Sequence, residues 1–191
     1  MDGNPYFTKE IISKSHPYYR GIEKHIPKLG VLHNPDDVVF INYDLGNGKK
    51  VEVHYPALFE QEFEINIHIT KLLVNKGIEN IRLMPKIHEK DKVNRERYFG
   101  KHYTDKFPKT CPDAIINGIS AEYKSTNLEK LITRLNEASK QAEMAVIEIN
   151  DIKFNTDTIN RINNKIKKHR NNKLKTILIT IEEEIFVIRK S

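Results

Sequence analysis

Asn117-Gly118, set between the short apolar runs Ala114–Ile116 and Ile119–Tyr123, constrains this chain more than any other pair of residues. Asn-Gly readily supplies the two left-handed backbone positions of a tight hairpin turn, so the flanking runs are expected to pair as antiparallel strands. Alternation then decides which side chains share a face. In Glu122-Tyr123-Lys124 the glutamate and the lysine project together and the tyrosine projects away. The surrounding elements follow from apolar spacing. Leu58–Lys76 carries a wide apolar face (Phe59, Phe63, Ile67, Val74) and stops at Gly77, which predicts a helix. Asn80–Pro85 reads as a short strand, and the polar stretch Lys86–Thr110 as loop. Leu128–Glu143 repeats apolar residues at helical spacing, Ala145–Ile149 is a buried strand, and Thr156–Arg170 is a basic helix. Thr176–Ile181 and Ile185–Ile188 form a last strand pair. From residue 58 the order is α-β-β-β-α-β-α-β-β, an α/β sheet with helices packed on it.

Residues 1–57 have a different texture, with prolines at 5, 17, 27, 35 and 56 and clustered aromatics. Asp37–Tyr43 and Lys50–Tyr55 flank Leu45-Gly46-Asn47-Gly48 and read as a β-hairpin, so 1–57 is expected as an extension on a main domain of residues 58–191. The 191 residues are 38% hydrophobic, enough for a core, and no run approaches the ~18 apolar residues of a membrane span. No secretory signal is visible at the start. The single cysteine, Cys111, forbids an intrachain disulfide and a cysteine-built zinc site. The expectation is a soluble protein working in a reducing compartment. Lys and Arg total 32 against 26 Asp and Glu, and seven basic residues against two acidic ones lie between Asp151 and Lys173. That patterning suits either a solvated face or a surface for nucleic acid. In the second case Lys165, Lys167, Lys168 and Arg170 are the phosphate contacts.

The residues that carry chemistry lie in Cys111–Lys124. Asp113 opens the first hairpin strand, so it can approach the end where Glu122 and Lys124 project. Two converging carboxylates repel unless a cation sits between them, and hard oxygen ligands suit Mg²⁺ or Mn²⁺. Such a cation polarises a phosphoryl oxygen, and the neighbouring lysine can orient water or stabilise charge on phosphate. The bland alternative is an exposed Glu122–Lys124 ion pair on an amphipathic strand.

Pro112-Asp113, eight intervening residues, then Glu122-Tyr123-Lys124 resembles the PD-(D/E)XK nuclease superfamily. The resemblance implies a restriction-endonuclease-like αβββαβ core, here with the N-terminal β-hairpin as elaboration. It also implies a further acid from the first helix, which offers Glu60, Glu62 and Glu64. Glu64 is preferred because the expected helix places it mid-element, on a polar stripe with Glu60 and His68. His68 itself reads as a satisfied or exposed histidine. Ile116–Ser125, the Leu128…Ala142 pattern and the strand Val146–Ile149 are similar to C-terminal toxin domains of bacterial polymorphic and contact-dependent growth inhibition toxins. This likeness covers roughly residues 60–190. It implies that Gln141, from the inner face of the second helix, and Ser125 border the site. It further implies cleavage of RNA, tRNA in particular, in the cytoplasm of a target cell reached as part of a larger toxin, and a cognate immunity protein. Asp113, Glu122 and Glu64 would hold the metal and Lys124 would serve the water. The alternatives are a DNA-cleaving nuclease, a metal-independent ribonuclease toxin, and a non-catalytic nucleic-acid-binding domain.

Overall fold

The computed structural model describes residues 40–54, 57–58, 60–168 and 174–189. Among them are eight strands and five helices, a mixed α/β architecture. The chain divides into two compact units, with cuts after Glu64, after Ile81 and after Cys111.

The first unit takes the described residues up to Glu64 together with Arg82–Cys111. Its hairpin is β1 (Phe40–Gly46) and β2 (Lys49–His54), as expected from Gly46-Asn47-Gly48. The part of the expected first strand before Phe40, and Tyr55 at the end of the second, lie outside the described residues. Asn47 and Gly48 take positive φ at the turn, and Gly46 N–H donates to Asp44 Oδ1 at 2.7 Å across a bulge. β2 pairs in parallel with β3 (Ile81–Leu83) through Glu52↔Arg82 and Val53↔Leu83.

The helix expected from Leu58 begins at Phe63 (α1, Phe63–Asn75). Before it, Glu60 N–H reaches Ala57 O and Phe63 N–H reaches Glu60 O, three-residue turns that wind too tightly to join the α-helix. The stretch expected as loop holds two helices, α2 (Lys92–Phe99) and α3 (Lys101–Lys106). Asp91 starts α2 by accepting the Asn94 N–H, and Gly100, at φ +81°, separates the two. They bury Arg95, Phe99 and Tyr103, with Phe107 beyond them, a four-residue spacing that the density of charge hides.

The second unit takes Ile65–Ile81 and the described residues from Pro112 on. β4 (Ala114–Ile116) and β5 (Ile119–Thr126) form the Asn-Gly hairpin, with Asn117 and Gly118 both at positive φ. β5, β6 (Met144–Ile149) and β7 (Thr176–Ile181) run parallel, and β8 (Glu184–Arg189) closes antiparallel on β7. α4 (Leu131–Ala138) is shorter than its apolar pattern, because turns cut it at both ends. At its start Asn127 Oδ1 accepts the Lys130 N–H, and at its end Gln141 N–H returns to Ala138 O. α5 is Thr156–Lys168.

One face of the parallel strands presents Ala145, Ile147, Ile149, Ile177, Ile179 and Ile181. Leu131, Leu135 and Ala138 of α4 and Ile162 and Ile166 of α5 pack against it in one buried cluster.

Candidate active site

β4 and β5 bring Asp113, Glu122 and Lys124 together. Asp113 N–H donates to Ala121 O at 3.0 Å, and Asp113 Oδ2 accepts the Tyr123 N–H at 2.8 Å. The aspartate thus brackets the backbone of Glu122, one step beyond the Ala114↔Ala121 pair. Both carboxylates are 1% exposed. Glu122 Oε1 lies 2.5 Å from Lys124 Nζ, whose side chain is 19% exposed. Register places Glu122 beside Ala145 and Lys124 beside Ile147, so the pair stands on the face that α4 and α5 cover. A carboxylate buried among isoleucines is costly unless it is paired and hydrogen-bonded. This is therefore not the exposed ion pair of the bland alternative.

Tyr123 takes the opposite face, where Thr70 Oγ1 of α1 donates to its hydroxyl at 3.3 Å. Burial pushes the phenol above its ordinary range, so it stays protonated and helps fix the strand between the two charged residues.

The other expected site residues are placed differently. Glu64 is exposed in the first turn of α1, not mid-helix, because the helix begins at Phe63. Of its stripe, Glu60 accepts the Lys86 N–H and His68 meets Glu148, while Glu62, the other acid on offer, lies 3.6 Å from Lys86 Nζ. Gln141 is half-buried in the turn after α4, not on the helix, since α4 ends at Ala138. Ser125 falls by alternation on the face opposite Glu122 and Lys124, beside Glu148, and accepts from Asn150 Nδ2 at 3.1 Å. Lys165 is half-buried and donates to Leu128 O at 3.3 Å, which ties part of its charge to the fold. Lys167 is exposed. The side chain of Lys168 and the whole of Arg170 lie outside the described residues.

No group of three or more His, Cys, Asp or Glu among the described residues gathers as a metal cluster. Asp113 and Glu122 stand opposite each other across the hairpin, one step beyond the Ala114↔Ala121 pair. Oxygen donors of this kind suit Mg²⁺ or Mn²⁺, which are commonly held by one or two carboxylates with water and phosphate oxygens completing the shell.

The residues that sequence reasoning did not single out are Arg95 and the His68–Glu148 pair. Arg95, 2% exposed, donates to Ile87 O, Phe107 O and Thr110 O and to Cys111 Sγ. The Cys111 thiol also donates to Ile87 O at 3.1 Å, and burial raises its pKa, so it packs as a neutral thiol.

Residues 109–186 match the family model of the contact-dependent growth inhibition CdiA C-terminal domain. The match encloses Asp113, Glu122 and Lys124 and the elements from β4 to β7, and it leaves α1 outside. It supports the toxin part of the resemblance. No curated protein and no solved structure matches the chain. No helix among the described residues is long and apolar enough to cross a membrane.

Proposed function

We propose that this chain is a toxin domain that hydrolyses phosphodiester bonds in nucleic acid, RNA and particularly tRNA, with Asp113, Glu122 and Lys124 as its catalytic centre. The observation that carries the reading is the buried Glu122–Lys124 contact at 2.5 Å on the sheet face that the apolar sides of α4 and α5 cover, with Asp113 fixed to the same strand by two hydrogen bonds to its backbone. Retaining charge there costs stability, and catalytic chemistry is a common reason for it. The similarity of residues 109–186 to a growth inhibition toxin domain supports the setting, including delivery to a target cell and a cognate immunity protein.

Asp113 and Glu122 would hold the divalent cation, which supplies phosphoryl polarisation and a lowered pKa for water. The Asp113–Tyr123 backbone bond keeps the first carboxylate in place, so little reorganisation is needed when phosphate arrives. Lys124, drawn to Glu122 in the resting arrangement, has its ammonium beside the position of the scissile phosphate. There it neutralises charge developing on the phosphoryl oxygens and orients the attacking water. Lys165, Lys167, Lys168 and Arg170 stand as the sequence-independent phosphate contacts, with Gln141 flanking.

Incubation of the protein with total RNA, purified tRNA and plasmid DNA, in Mg²⁺, in Mn²⁺ and in chelator, tests the reading. Cleavage of RNA that chelator stops and either cation restores is the expected result. Binding without cleavage of any substrate would leave the non-catalytic binding module in its place.

A further inference from the structure

One edge of α4 carries a second ion pair beside Lys124. Leu131, Leu135 and Ala138 form the buried line of that helix, and Ile132 packs against the same cluster. Successive residues turn by about 100° around a helix, so Ile132 lies to one side of the buried line and Arg134 and Glu137 to the other. Arg134 Nη1 donates to Glu137 Oε2 at 2.7 Å. That hydrogen bond holds the Glu137 carboxyl below its ordinary range, and the charges of Arg134, Lys124 and Lys140 add to it. Lys124, 2.5 Å from Glu122, therefore also stands within electrostatic reach of Glu137. Three cations thus surround one carboxylate.

The pair is a poor explanation of its own presence. Its side chains are 38% and 40% exposed, and an exposed pair one helical turn apart contributes little to stability. A lysine would serve it as well, yet the residue is an arginine with donors to spare. Arg134 Nε is buried with no hydrogen-bond partner among the described residues, and a buried N–H left unmade is costly. Phosphate is the acceptor that a guanidinium matches best, since two of its oxygens meet two parallel N–H groups of the fork. Glu137, an anion with two oxygens among three cations, has the charge and the acceptors of a phosphate.

With Glu122 and Lys124 as a nuclease centre, a reading on which this rests, we propose that Arg134 grips the scissile phosphate of the nucleic acid and that Glu137 occupies its guanidinium until that phosphate arrives. Entry of substrate exchanges one anion for another on Arg134. The phosphoryl group is then fixed by the fork on one side and by the Lys124 ammonium on the other, which holds it in a single orientation for attack.

The test measures RNA binding in chelator and single-turnover cleavage of tRNA in Mg²⁺. The proteins are wild type, Arg134→Ala, Arg134→Lys, Glu137→Gln and the double variant Arg134→Ala with Glu137→Gln. In chelator Glu137→Gln should bind RNA severalfold tighter than wild type, and the gain should vanish in the Arg134→Ala background. Loss of a negative charge by itself would tighten binding equally in both backgrounds, so the double-mutant cycle isolates the guanidinium. In Mg²⁺ Arg134→Ala should cleave about 100-fold more slowly, the scale for loss of one donor to developing charge, with affinity within a few-fold of wild type. Arg134→Lys keeps the charge without the fork and should recover only part of that rate. The pair is exposed, so every variant should melt with wild type, which separates lost chemistry from lost fold. An equal gain in both backgrounds, or no gain, would overturn the proposal, as would cleavage by Arg134→Ala at near wild-type rate. Wild type that binds RNA and cleaves nothing would defeat the nuclease centre and, with it, the role of Arg134 at a scissile phosphate, while a gain confined to the Arg134 background would still establish the exchange of Glu137 for phosphate.

Discussion

Asp113 accepts a backbone N–H through Oδ2, and an asparagine can offer its carbonyl oxygen to the same donor. Asp113→Asn should therefore hold within ~1 kcal/mol of wild type in chelator, a common scale for relief at active sites. Millimolar Mg²⁺ or Mn²⁺ should raise the melting temperature of wild type and not of the variant, because a ligand of the folded state stabilises by mass action. Equal responses in a thermal melt would remove Asp113 from the metal site. Lys124→Ala takes the cation from a buried carboxylate and should cost about 3 kcal/mol by denaturant titration, whereas an exposed pair would cost under ~1. In the first unit His54 is fully buried, with the Tyr98 ring edge-on at 4.4 Å. Burial, with a smaller contribution from Arg97, lowers its pKa from 6.5 to about 3. The unfolded chain then binds more protons than the folded one between those values. The stability is complete above pH 6.5 and falls by up to ~1.4 kcal/mol for each pH unit below it, down to about pH 3. Melts from pH 7 to pH 4.5 should show this slope in wild type and a shallower one in His54→Leu.

At the scale of elements, the Asn117-Gly118 hairpin should be sensitive to backbone conformation and not to space. A Cβ on Gly118 meets nothing within 4 Å, but φ is +78°. Gly118→Ala should cost about 1 kcal/mol in chemical denaturation, and a neutral result would mean that the turn relaxes. Leu135 of α4 is fully buried, so Leu135→Ala should cost about 3 kcal/mol. These elements were legible because their signals are local: Asn-Gly for the hairpin, a four-residue apolar period for α4, short runs of mainly β-branched and apolar residues for β6 and β7. α2 and α3 were not legible, since charge dominates them and their buried line of Arg95, Phe99, Tyr103 and Phe107 includes a guanidinium. Arg95 earns burial only through three carbonyls that no sequence pattern announces. The site divides in the same way. Glu122 and Lys124 were readable from strand alternation and Asp113 from the hairpin register. Glu64 failed as a mid-helix residue because three-residue turns delay α1, and Ser125 changed face because alternation continues through Lys124. The His68–Glu148 contact spans eighty residues and leaves no local trace.

For the whole molecule, the net charge of +6 is the property that bears on partners. Phosphate contacts release counterions, so affinity for RNA should fall linearly with salt on logarithmic axes. Neutralising Lys165, Lys167, Lys168 and Arg170 together should flatten that slope. Lys165 should contribute least, because its ammonium already serves Leu128 O. An unchanged slope would place the phosphate track on other basic residues, such as those between Lys86 and Lys109. Spread over many groups, this binding is separable from the chemical step, and that separation gives the most direct test of the catalytic centre. The measurement is single-turnover cleavage of tRNA in Mg²⁺ by Lys124→Ala, with affinity measured on the same preparation. The account predicts that metal-dependent cleavage is abolished while affinity stays within a few-fold of wild type. Cleavage at near wild-type rate would contradict it, because the buried Glu122–Lys124 pair would then be scaffold and the catalytic centre would lie elsewhere.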